Sequence, residues 1–278
     1  MFGALLIAGS LAATGLAQQF SSKVPTAADW AALAKLPDFN GVWERAGVGG
    51  GGNPVFGTPS QRGNTPPAAR GASPQRGGDA GRTSVPSFTP KYEAMRAAAA
   101  KSLQPEDNTT ANCLPPGMPG IMGQPYPMEF LLTPGKVTIV IEAYTQVRHI
   151  YTDGRPLPQD PDPKFFGTSV GHWEGETLVA ETVGFNDHVQ LARGVPHGDK
   201  MKIVERFRLT DPDTMNIETT ITDPVALAAP YKTSNTVKRH RNWTISEYIC
   251  EENNRNYVDQ TGKAGINLTV PGASKKDE

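Results

Sequence analysis

From Met128 onward the chain is a run of short segments in which bulky apolar and polar residues alternate, each ended by a turn-forming pair. Met128–Leu132 and Lys136–Ala143 flank Thr-Pro-Gly, and Gln146–Tyr151 precedes Asp153-Gly154. Met201–Leu209 and Met215–Thr222 flank Asp211-Pro-Asp213, and Asn235–Ile249 reads as one long bent strand. Period-two alternation between turn signals, with no helical pattern between, predicts an all-β, antiparallel sheet. Eight or more such strands without the inter-sheet marks of a sandwich predict a closed, lipocalin-like β-barrel, which leaves no exposed edge.

The stretch Thr168–His188 sits at the centre of this run. It folds back on itself at Glu174-Gly175, because a two-residue hairpin turn needs positive φ angles that glycine tolerates best. Pairing Trp173 with Glu176 puts Val170, His172, Thr177, Val179, Glu181 and Phe185 on one face, the more apolar one. Gly171, Trp173, Leu178, Ala180 and Thr182 share the other.

Upstream the 278-residue chain is different: aromatic and β-branched residues are sparse before Met128. Residues 1–17 are small, apolar and uncharged from Phe2, and end in Gly-Leu-Ala, the pattern of a secretory signal peptide. The alternative is a short buried or membrane-resting helix; the run is short for a bilayer span, and nothing later suits one. Residues 18–46 hold a short helix opened by Thr26 and Asp29, then a first strand, Phe39–Trp43. Residues 47–86 are Gly, Pro, Ser, Asn and Arg with almost no large apolar side chain, so the segment is expected to be a disordered insertion. Residues 87–127 give a second helix, with Thr89 as N-cap and Pro90 first, and a Pro/Gly-rich loop. Residues 128–252 are the barrel core and 253–278 a flexible tail.

Net charge is −1, so no field favours nucleic acid. There are two cysteines, Cys113 and Cys250. In an oxidising compartment they could pair and tie the segment before the barrel to its C-terminal end; the alternative is two unrelated buried thiols. Cys113-Leu-Pro-Pro-Gly117, Arg148-His-Ile-Tyr-Thr-Asp-Gly-Arg155, Gly171-His-Trp-Glu-Gly-Glu-Thr-Leu-Val179, Thr182-Val-Gly-Phe-Asn-Asp187, Pro196-His197 and Glu205-Arg206 together resemble a family of secreted bacterial proteins of unknown function. That resemblance implies export to the periplasm or beyond and a β-rich fold. It implies no catalytic residues.

Glu205 is the chemical anomaly. With Arg206 set opposite Glu218, residues Ile203, Glu205, Phe207, Leu209, Met215, Ile217 and Ile221 share the apolar face. A carboxylate in such a place must meet a cation or hold a proton. A protonated carboxyl would suit general acid–base catalysis. A paired one needs an inward arginine, and Arg148, Arg239 and Arg241 are the candidates.

His172 and Glu181 share a hairpin face, but the register sets them roughly 13 Å apart and argues against direct contact; they could line opposite ends of one cavity, and the alternative for His172 is a satisfied polar core residue. Asp187, His188, His197 and Asp199 are weak candidates for a divalent metal, because their spacing fits no motif; a mobile lid is the better expectation for that loop. Asp153-Gly154 makes a turn, with Arg155 placed to clamp a nearby carboxylate. No phosphate loop, nucleophile elbow, zinc helix or dinucleotide fingerprint is present, so no cofactor is expected.

Three functional readings follow. The first is a periplasmic or secreted barrel that binds a small amphipathic molecule against Val170, Val179, Phe207 and Ile217, with Glu205 and Arg148 at its polar end. The second is a cofactor-free hydrolase, lyase or isomerase using Glu205. The third is an envelope structural or interaction protein.

Overall fold

A computed structural model describes residues 24–46, 86–102, 113–250, 256–258 and 264–266. The expected signal peptide and nearly all of the expected disordered insertion lie outside these residues. Nine strands form a closed barrel. They are β1 (Gly41–Arg45), β2 (Met128–Thr133), β3 (Lys136–Ile141), β4 (Gln146–Tyr151), β5 (Thr168–Glu174), β6 (Thr177–Val183), β9 (Lys202–Asp211), β10 (Thr214–Thr222) and β11 (Tyr231–His240). Around the barrel the order is β1-β11-β10-β9-β6-β5-β4-β3-β2. β1 pairs with both β11 and β2, and so closes the ring. Two further strands, β7 (Gln190–Ala192) and β8 (Val195–Pro196), make a small separate ladder.

The expectation of a wholly antiparallel sheet is corrected at one seam. β4 and β5 run parallel, joined by Ile150↔Ser169 and Tyr151↔Val170. The connection 152–167 carries no helix, so the usual sign of a parallel crossover is missing from the sequence.

Turn chemistry sets the hairpins. Pro134-Gly135 joins β2 to β3. Gly175, at φ +59°, takes the left-handed position between β5 and β6. The hairpin closes on Glu174↔Thr177, with Trp173 opposite Leu178. The register is therefore two residues away from a Trp173–Glu176 pairing. An even shift keeps the two sets of faces intact. What reverses is which set points inward. Leu178, Ala180 and Thr182 are fully buried, and Gly171 leaves room for Ile150 across the parallel seam: a Cβ there would sit 2.8 Å from Ile150 Cγ2. β9 and β10 pair as the charges require, with Arg206 opposite Glu218 and Phe207 opposite Ile217.

Large apolar side chains occupy the barrel interior. Trp43, Phe130, Ile139, Ile150, Phe207 and Ile217 fill its middle, with ring centroids 6.4 Å apart for Trp43–Phe130 and 6.0 Å for Phe130–Phe207. Phe39 lies against Trp173 at 5.2 Å where β2 turns into β3. Met118, Ile121 and Met122, around the 3-10 turn Gly120–Gly123, join the core from the β1 C-terminal end, where Arg45 donates to the Gly123 carbonyl (3.1 Å).

The helices lie outside. α1 (Ala27–Leu33) opens with a capping box: Thr26 Oγ1 accepts from the Asp29 amide (3.3 Å), and Asp29 Oδ2 accepts from the Thr26 amide (2.7 Å). α2 (Pro90–Ser102) begins at Pro90 as expected, but the Thr89 hydroxyl donates to the Val225 carbonyl (3.0 Å). The tail expected to be flexible holds a two-stranded ladder, β12 (Asn256–Val258) with β13 (Ala264–Ile266). Among the described residues no helix is long and apolar enough to cross a membrane.

Candidate functional site

Glu205 points into the interior and meets Arg148. The Arg148 Nη1 donates to Glu205 Oε1 (3.2 Å), and Nη2 donates to Oε2. Nη2 also reaches Thr182 Oγ1 (3.2 Å) and Ser169 Oγ (3.4 Å), whose hydroxyls are bonded to each other at 2.8 Å. Both charged side chains are 1% exposed. Four strands thus converge on one guanidinium: β4 supplies it, while β5, β6 and β9 supply its acceptors. Within this cluster Arg148 Nε is left without a hydrogen-bond partner. This is a neutralised, close-packed polar cluster walled by apolar side chains.

The other proposed interior residues are elsewhere. His172 and Glu181 face outward, because the Gly171/Leu178/Ala180 face holds the core. His172 Nε2 lies 3.2 Å from Glu174, which also accepts from Arg206 (2.7 Å). The Arg206 bond first, then the His172 bond, hold the Glu174 carboxyl below its usual range. Glu181 pairs with Lys202. Arg239 stacks on the Trp43 ring at 4.5 Å and binds the Asp38 carboxylate (3.0 Å), far from Glu205. Burial works against ionisation of Asp38, yet bonds from Asn40 and Arg239 outweigh it and lower its pKa. Arg241 is exposed and reaches Asp213 at 2.7 Å.

The loop candidates for a metal do not converge. His188 stacks on Phe165 at 5.5 Å, and Asp187 and Asp199 are exposed. The His197 nitrogens face the carbonyls of Gly198 (2.7 Å) and Asn186 (2.9 Å). Among the described residues no group of three or more His, Cys, Asp or Glu is arranged to hold a metal ion. The segment is not built as a lid either, because Val189 and Val195 are fully buried. Asp223 anchors it by accepting from the amides of Gly198 (2.6 Å), Ala226 (3.0 Å) and Val225 (3.1 Å).

Cys113 and Cys250 form a disulfide with a sequence separation of 137, the first of the two openings the spacing allowed. It fixes the segment after β11 across the β3–β4 connection. There Thr145 Oγ1 donates to the Tyr248 carbonyl (2.8 Å), and Glu142 accepts from the Ser246 amide (3.0 Å).

Concave surface lies outside the barrel. A shallow cleft of about 450 Å³ on β6, β9 and β10 is lined by Arg206, Arg208, Asn216 and Glu218. A larger groove of about 800 Å³ runs between the start of α1 and the β2–β3 and β4–β5 connections. Its lining combines the apolar Val24, Pro25 and Pro134 with the polar or charged Lys136, Tyr151, Asp153 and Arg155. Arg155 is held in two ways, over the Tyr151 ring at 3.8 Å and against Asp153 Oδ2 at 2.5 Å. The Arg155 bond holds the Asp153 carboxyl below its usual range. Lys136 stands opposite Tyr151 in the β3–β4 ladder.

The turn at Asp153-Gly154 and the clamp on Arg155 are legible in the sequence; Lys136 was not singled out there. The four-residue connection 142–145 sets the β3–β4 register that puts Lys136 opposite Tyr151. No protein family model, curated protein or solved structure matches this chain.

Proposed function

We propose that this is an exported protein that binds a small amphipathic molecule, and that the ligand lies in the groove beside α1. The carrying observation is the groove itself, whose lining combines Val24, Pro25 and Pro134 with Lys136 and Arg155. Ligand sites of this kind pair an apolar lining with a few placed polar groups. The large side chains packed inside the barrel weigh against an interior calyx, and the 1% exposure of Glu205 weighs against acid–base chemistry on a substrate. The Cys113–Cys250 disulfide fits an oxidising compartment such as the periplasm.

Native mass spectrometry of protein purified from its own host's periplasm tests this. The expected result is a bound small molecule at one per chain, lost when Val24 and Pro25 are replaced by Asp. A chain that travels bare, and to which no amphipathic compound binds saturably, would sink the proposal.

A further inference from the structure

The groove's charges are not equivalent. Asp153 is neutralised by Arg155 at 2.5 Å. Asp29 accepts twice from Thr26, at 2.7 Å from its amide and 2.7 Å from its hydroxyl. Lys136 is different: among the described residues, no carboxylate pairs with its ammonium. It is half-buried, and it lines the groove together with Val24, Pro25 and Pro134. A cation partly removed from water, with acidic neighbours already occupied, leaves a positive potential there. His149, on the same outer face of β4, registers that potential: burial first and the Lys136 charge second push its pKa down.

We infer that the ligand is an amphipathic anion, with its acidic head on Lys136 and its apolar body along Val24, Pro25 and Pro134. This rests on the groove being the binding site. The Tyr151–Arg155 stack is the rigid side wall, because the guanidinium is already engaged by the ring and by Asp153. The head is held by one charge-assisted contact in a half-open site. The ligand is taken as a free molecule rather than a membrane surface, because the cationic wall is a single lysine beside a concave apolar slot and not a spread of basic residues.

Two dyes of the same shape test this, one with a sulfonate and one without: 8-anilinonaphthalene-1-sulfonate and N-phenyl-1-naphthylamine. Titration of the full chain by calorimetry should give one saturable site for each. Lys136→Ala should weaken the sulfonate about tenfold, Lys136→Arg should restore most of it, and the neutral dye should not respond. If both dyes bind the wild type and neither responds to Lys136→Ala, the anion assignment is overturned and the groove remains. If neither dye binds the wild type saturably, the groove itself is wrong. Lys136-dependent sedimentation with phosphatidylglycerol vesicles would replace the free molecule by a lipid surface and overturn the assignment as stated.

Discussion

Arg148 on β4 and Glu205 on β9 face each other through the barrel interior by two guanidinium–carboxylate contacts, each side chain 1% exposed. Removing one partner leaves a buried charge without compensation. Glu205→Gln and Arg148→Met should each destabilise the fold by about 3–5 kcal/mol. The double variant Arg148→Met/Glu205→Leu should lose much less than the sum, since an apolar pair of similar volume removes both charges together. Urea unfolding of the three variants checks this; additive losses would mean that the contact has no coupling energy.

Gly171 and Gly175 should both lose stability on substitution by alanine, Gly171 the more. At Gly171 a Cβ would lie 2.8 Å from Ile150 and 3.0 Å from the Val179 carbonyl, and the loss should be about 1–3 kcal/mol. At Gly175 nothing lies within 4 Å, so only the left-handed φ of +59° is strained, and the loss should be about 1 kcal/mol. Equal losses at the two positions would contradict close packing at the parallel seam.

Reduction of the Cys113–Cys250 disulfide should destabilise the chain strongly, because its sequence separation is 137. The chain-entropy model gives roughly 5 kcal/mol for a loop of that size, and measured losses are often smaller. Cys113→Ser/Cys250→Ser should unfold at lower denaturant than the oxidised wild type, with the segment through Ser246 and Tyr248 first to gain hydrogen exchange. Unchanged protection there would show that Thr145 and Glu142 hold the segment alone.

The Asp153 carboxyl is held below its usual pKa of 3.8 by the Arg155 bond. A depressed folded value means a stabilising contribution that is present above 3.8 and lost as pH falls through the folded midpoint. Carboxyl-carbon NMR should place that midpoint below 3.8, and Arg155→Ala should bring it back up. A midpoint that ignores the substitution would remove the ion pair from the groove wall.

His149 acts in the same direction at higher pH. Burial and Lys136 lower its pKa from 6.5, so the folded chain takes up its proton less readily than the unfolded chain. Its share of stability is complete above 6.5 and declines as pH drops below that value, until the folded midpoint is passed. His149→Gln should flatten the fall in melting temperature from about pH 7 to about pH 5. Parallel curves for variant and wild type would exclude this residue as the source.

The barrel was legible because alternation and turn chemistry are local properties. Pro134-Gly135 and Gly175 mark their hairpins directly, and the Arg206–Glu218 pairing fixes the face on which Glu205 lies. The orientation of the β5–β6 hairpin was not legible. Its two faces carry similar apolar content, and the decision falls to Ile150, which needs the space at Gly171 and comes from a strand paired in parallel. The groove was equally hidden, since Val24 and Lys136 meet only through the folded path of the chain. Arg148 was named among three candidate partners for Glu205; only the ring of strands separates it from Arg239 and Arg241, which lie at the barrel's end.

Of the barrel strands, β1 is the first to leave the ribosome, and one of its two neighbours, β11, is the last. Until residues 231–240 are available, the sheet has two open edges and cannot become a ring. The bond to Cys250 waits on the same final stretch of chain. Completion is therefore a late event that joins the first and last strands of the barrel. A molecule stopped short of it carries sticky strand edges that the finished molecule hides.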